Sequence, residues 1–174
     1  MARIYIVGPV ASGKSTLAKS LAQRLQIPHA SLDEFRYVQD LSSAAGNRKR
    51  GELQTQKLFN AFLQQPKWII EDVGRQCFQE GLKQADKIIL LDLASRVRKY
   101  RILKRWTKQR LGLEACQYKP SLQILKLILE WHHNYDTGVD NLKQRIAEYN
   151  HKVLVCKNSR EVKSLLPQEI LAHN

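Results

Sequence analysis

Gly8-Pro9-Val10-Ala11-Ser12-Gly13-Lys14-Ser15-Thr16 spells the pattern G-x-x-x-x-G-K-[ST]. The two glycines let the backbone curl until consecutive N–H groups point into one small hollow. The positive end of the helix that follows faces the same hollow, so it suits a polyphosphate. Lys14 reaches the β- and γ-phosphates, and Ser15 offers its hydroxyl to Mg²⁺. Residues 8–16 as a whole are therefore expected to bind ATP. The flanks fit: an apolar run, Arg3-Ile4-Tyr5-Ile6-Val7, precedes the loop. Leu17, Ala18, Leu21, Ala22 and Leu25 follow at helical spacing.

Three acids stand where a second substrate would lie. Asp33 follows the short strand His29-Ala30-Ser31-Leu32, and Glu71-Asp72 closes the strand Trp68-Ile69-Ile70. In open α/β sheets ligands bind beyond the carboxyl ends of the strands. Asp33 can orient an acceptor hydroxyl or take its proton; its plain alternative is a helix N-cap. Glu71 can hold a metal-bound water or be a solvated carboxylate. Arg36 and Arg75 can bind an anionic acceptor or lie on the surface.

A third cluster runs from Arg96 to Arg110 and holds eight Lys and Arg residues. Arg101 and Arg105 share a helix face by their spacing of four. Arg96, Arg98, Lys99 and Lys108 are expected to be solvated. His132 and His133 are adjacent, so they diverge on a helix and cannot form the usual one-face metal pair. The Trp and Tyr residues are spaced as packing, not as a base-stacking platform.

The elements that must position these groups follow from periodicity. Strands are expected at about 3–7, 29–32, 68–70, 87–92 and 152–156. Helices are expected at 14–25, 51–64, 77–85, 96–111, from Ser121, at 139–149 and from Ser159. The last helix carries Val162, Leu165 and Leu166 and stops at Pro167. Residues 40–50 read as a mobile loop. Five buried strands alternating with helices make a parallel sheet covered on both faces. The chain reads as a single domain over 1–174, with insertions at about 34–66 and 93–135.

Composition sets outer bounds. The chain has 174 residues, 43% hydrophobic, which is enough for one core and too apolar for disorder. No apolar run approaches membrane-spanning length, and the N-terminus lacks a secretory pattern. Cys77, Cys116 and Cys156 form no C-x-x-C pair, so a reducing cytoplasm is expected and no membrane. The net charge of +13 implies an anionic partner: nucleotide, nucleic acid or anionic membrane surface.

The chain resembles P-loop kinases of the adenylate kinase-like group. More narrowly it looks like the bacterial DNA topology modulation proteins. That likeness rests on residues 8–16, Ser31-Leu32-Asp33-Glu34, Trp68-Ile69-Ile70-Glu71, Tyr100-Arg101-Ile102-Leu103-Lys104-Arg105-Trp106 and Tyr118-Lys119-Pro120. It implies sheet order 2-3-1-4-5 and a helical lid at about 106–122. It also implies an acceptor arginine at Arg75, phosphate-clamping arginines at Arg101 and Arg105, and a further arginine at Arg145. Asp72 departs from the glycine usual there. With only Cys116 in the lid, no zinc is implied. The expected activity is ATP- and Mg²⁺-dependent phosphoryl transfer to a small acceptor, a nucleotide or nucleoside, by a monomer or homodimer. The rival is a nucleic-acid-binding ATPase that modulates DNA topology, but no helix-turn-helix or other DNA-reading module is visible. The absence of an N-K-x-D pattern weakens a GTPase reading.

Overall fold

The computed structural model describes residues 2–40, 42, 47–116 and 118–164. Five parallel strands form the central sheet: β1 (Arg3–Val7), β2 (His29–Ser31), β5 (Trp68–Asp72), β6 (Lys87–Leu91) and β7 (Val153–Cys156). Their order is β2-β5-β1-β6-β7, which is the expected 2-3-1-4-5 for these five strands. Ile4 lies opposite Ile69 on one side and Lys87 on the other.

The sheet is apolar on both faces because successive side chains point to opposite sides. Tyr5 and Val7 join Phe59, Trp68, Ile70, Phe78 and Ile146 in one cluster. Ile4 and Ile6 join Leu17, Leu21, Ile69, Ile89 and Cys156 in the other. Each such side chain, fully buried, contributes roughly 1.5–3 kcal/mol. Helix α1 (Lys14–Leu25) covers the second face through Leu17, Ala18 and Leu21. Helices α3 (Glu52–Leu63) and α4 (Gln79–Gln84) cover the first through Phe59, Leu63 and Leu82.

Local details differ from expectation. Leu32 leaves the second strand and opens α2 (Leu32–Arg36). Part of the segment expected to be a mobile loop is ordered: β4 (Asn47–Lys49) pairs antiparallel with β3 (Tyr37–Gln39). Tyr37 and Val38 favour extended backbone, and Arg50 N–H donates to Arg36 O at 2.7 Å to close the ladder. The helix expected at 77–85 opens with a 3₁₀ turn, Gln76–Phe78. The helix expected at 139–149 shrinks to α7 (Leu142–Ala147), because Asn141 adopts a left-handed φ of 52° just before it. Leu165, Leu166 and Pro167 lie outside the described residues.

Helix α5 (Ser95–Arg110) and helix α6 (Leu122–Asp136) form an antiparallel pair beyond β6. Ser121 caps α6, its Oγ accepting from Ile124 N–H at 3.2 Å. At the near end Ser95 Oγ donates to Asp136, and at the far end Trp106 Nε1 donates to Ser121 O at 3.1 Å. The last helix, α8 (Ser159–Ser164), is capped by Asn158 rather than Ser159: Asn158 Oδ1 accepts from Arg160 and Glu161 N–H. No helix among the described residues is long and apolar enough to cross a membrane.

Candidate active site

β1 delivers the chain into residues 8–13, and α1 carries it away, so the loop sits at the carboxyl end of the central strand. Gly13 takes a φ of 101°, a conformation that side-chain-bearing residues rarely adopt, and Ala11 is drawn to 60°. No side chain caps α1. The orphan N–H groups of its first turn therefore remain available to an anion. Lys14 is 9% exposed and folds back over the loop, its Nζ donating to Pro9 O at 2.9 Å. One of its three ammonium donors is thus spent, and the others are open to phosphate. Burial lowers the Lys14 pKa, and Glu71, Asp72 and Asp33 work against that shift. Ser15 is exposed at the start of α1. Its hydroxyl is therefore accessible beside the open first turn of α1. Thr16 is also exposed.

Facing the loop are the ends of β2 and β5. Glu71 (5% exposed) and Asp72 (3%) are both buried there. Asp33 sits in the first turn of α2 with a side chain 62% exposed. Sequence reasoning left the effect of Asp72 open; the structure assigns it a turn. Its carboxylate accepts from Gly74 N–H at 2.7 Å, from Arg75 N–H, and from the Arg75 guanidinium. The other side of that guanidinium meets Asp33. Arg75 is therefore a bridge between two carboxylates. Burial works against its charge, but Asp72 and Asp33 outweigh burial and push its pKa up. Burial raises the Asp72 pKa, although Arg75 and two N–H groups oppose the shift. Three donors at hydrogen-bond distance from its oxygens favour the charged form and limit that rise. An acid two residues before a glycine is a turn signature that could have revealed this arrangement.

The remaining expected site residues scatter. Arg36 lies on α2, its guanidinium 3.9 Å from the exposed Glu52. Arg145 lies on α7, donating to Asp140 O at 3.2 Å, while its Nη1 is buried without a partner. Arg101 reaches the loop itself: Nη1 donates to Ala11 O (3.3 Å) and Ser12 O (3.1 Å), and Nη2 to Ser159 Oγ (2.8 Å). Arg105 does not join it; the side chain is 62% exposed and pairs with Glu114 at 3.1 Å.

Arg98 overturns an expectation. It was expected to be solvated, yet it is 1% exposed. It donates to Leu93 O at 2.9 Å, pairs with Asp136, and lies over the Tyr135 ring at 4.9 Å. The reason is helical phase: four residues separate it from buried Ile102, so both face inward. The hydroxyl of Tyr135 donates to Asp92 at 2.8 Å, and Lys143 pairs with Asp92 at 2.9 Å. His132 is buried beside Ser95 and Asp136, part of the same packing.

Known structures share this fold. Shikimate kinase from Acinetobacter baumannii, solved with shikimate, is 18% identical with a TM-score of 0.57, covering 100% of this chain and 95% of its own. Shikimate kinase from Bacteroides thetaiotaomicron is 17% identical with a TM-score of 0.53, covering 98% of each chain. A gluconokinase from Sinorhizobium meliloti 1021 is 13% identical with a TM-score of 0.53, covering 99% of this chain and 90% of its own. No curated protein matches the sequence. The AAA domain family matches over residues 4–119, from β1 through the loop that follows α5. That span takes in the phosphate loop, Asp33, Arg75 and the whole of α5, and on it the chain belongs to the AAA domain family.

Proposed function

We propose that this protein transfers the γ-phosphoryl group of ATP to a hydroxyl of a small acceptor, a nucleotide or nucleoside. The observation that carries the reading is the grouping around Lys14. Lys14 folds over the loop that follows β1, the neighbouring strand β5 ends in Glu71 and Asp72, and Arg75 ties Asp72 to Asp33, which supports a phosphate cradle with carboxylates beside it. Phosphoryl transfer asks for positioning and charge stabilisation more than covalent chemistry.

The backbone of residues 8–13 and the α1 N-terminus cradle the β- and γ-phosphates. Lys14 swings from Pro9 O to the γ-phosphate. Mg²⁺ bound there would be held by Ser15, with Glu71 reached through water, and would neutralise charge on the phosphate oxygens. Asp33 accepts the acceptor proton as the new O–P bond forms. The bond from the γ-phosphorus to the bridging oxygen breaks, and its electron pair leaves with ADP. Arg101 holds the loop's shape from behind. Arg105 reaches the phosphates only if it leaves Glu114 as α5 and α6 close; Arg36 and Arg145 are the remaining candidates to meet acceptor.

Lys14→Ala tests the cradle: acceptor-dependent ADP formation should fall by about 10² or more, as expected when a buried charge-assisted contact to the moving phosphate is lost. Unchanged turnover in a folded variant would overturn the assignment. A second reading has its own observation. The exposed Arg96, Lys99, Lys104 and Lys108 line α5 in a chain of net charge +13, and the likeness to DNA topology modulation proteins points the same way. On that reading DNA stimulates ATP hydrolysis and no acceptor is needed.

A further inference from the structure

We propose that Arg75 is committed to positioning Asp33. The acceptor then presents an uncharged hydroxyl group, as a nucleoside or polyol does, rather than a phosphate or carboxylate to this end of the cleft. The inference rests on the kinase reading above and narrows it to one substrate class.

Charge is the first ground. Arg75, Asp33, Glu71 and Asp72 all lie within electrostatic reach of Lys14, and Arg75 bridges Asp33 and Asp72 directly. Two cations against three carboxylates leave one negative charge, and Lys14 belongs to ATP. An arginine that anchors an anion needs a free face of its guanidinium fork. Both terminal nitrogens of Arg75 are already engaged: Nη1 by Asp72, whose side chain is fully buried, and Nη2 by Asp33. A phosphate gripped bidentately by these two nitrogens would compete with Asp33, the group meant to receive the acceptor proton. Arg75 would then gain an anion only by dismantling the base.

The second ground is the surface next to it. Gln76, the residue after Arg75, forms one wall of an open cavity of about 500 Å³. The other walls are Asp140, Asn141, Gln144, Arg145 and Glu148. Three amides, two carboxylates and one guanidinium suit a neutral molecule rich in hydroxyl or base edges. An anion would meet two carboxylates beside that single cation. Arg36, the other candidate, already faces Glu52.

The test measures ADP formation by the full chain with two acceptor panels. One holds nucleosides and polyols; the other holds their 5′-monophosphates and the matching sugar phosphates. The uncharged member should exceed its phosphorylated counterpart by about tenfold or more in kcat/KM. Which uncharged compounds respond separates nucleoside from polyol. Arg75→Gln should lower kcat by about 10² and leave acceptor KM within about threefold, the signature of a misplaced base rather than a lost anchor. Asp72→Asn keeps an acceptor for the turn and frees Arg75 from one carboxylate. It should lower KM for the phosphorylated panel. A wild-type preference for phosphorylated acceptors overturns the inference and leaves the kinase reading standing, as does an Arg75→Gln effect confined to KM. If ATP binds by titration calorimetry and neither panel yields ADP, the kinase reading falls and the inference with it.

Discussion

Single side chains carry most of the chemistry here, and their environments decide what they can do. His29 shows how burial works on one residue. It stands on β2 with its Nε2 buried and unpartnered, and burial lowers its pKa even though Glu71 and Glu34 oppose the shift. The unfolded chain takes up this proton near the ordinary value of 6.5, while the folded chain resists it. The neutral form therefore stabilises the fold above that value, and stability declines as pH falls through 6.5 toward the lower folded pKa. Replacing His29 with Gln should flatten that part of the stability–pH curve, measured by urea unfolding between pH 7.5 and roughly pH 5. An unchanged slope would show that His29 is not responsible. Asp33 and Arg75 make a parallel case at the site. A sequence supplies their types and order, but it cannot show that a guanidinium expected to grip an acceptor is already held by two carboxylates.

Elements set how far a pattern can be read. The five strands and α1 were legible because β1 and β6 are continuous apolar runs and α1 carries a clean 3.6-residue stripe. The phosphate loop was legible for a different reason: its glycines and lysine are required by one backbone shape. The β3–β4 ladder was hidden because Gln39, Asn47, Arg48 and Lys49 give no apolar alternation. Arg98 was hidden because a buried arginine looks like its solvated neighbours until its partner on another helix is known. Asp136 provides that partner across the α5–α6 pair. Burial pushes the Asp136 pKa up, but Ser95 and Arg98 outweigh it and hold the carboxyl below its ordinary value. Removing Asp136 strands a guanidinium that is 1% exposed. Asp136→Ala should therefore cost about 3 kcal/mol in urea unfolding, near the low end for a broken buried pair because Asp136 itself is partly exposed. Arg98→Met removes the charge and keeps the volume, and it should cost less. The reverse ranking would mean that packing, not pairing, holds the base of this helix pair.

At the scale of the whole molecule, the excess of positive charge and the fold pull toward different partners. A charge of +13 draws any polyanion to the surface. The sheet gathers the phosphate loop, Asp33, Glu71 and Asp72 at the carboxyl ends of its strands, where α/β folds bind small ligands. Lys99 and Lys108 separate these influences because both are exposed and neither touches the cleft residues. Changing both to Ala should leave phosphoryl transfer within about twofold, as for solvated surface charges. If DNA is the working partner, the same change should reduce the slope of log affinity against log salt by about 2. The phosphate loop is common to both accounts, so the destination of the γ-phosphate decides between them. The most direct measurement follows label from γ-³²P-ATP in wild type and Asp33→Asn, with nucleosides, polyols or DNA present. Transfer to a nucleoside or polyol is predicted, falling by about 10² in Asp33→Asn while ATP affinity stays within a few fold. Label released only as inorganic phosphate, stimulated by DNA and indifferent to Asp33, would contradict the account.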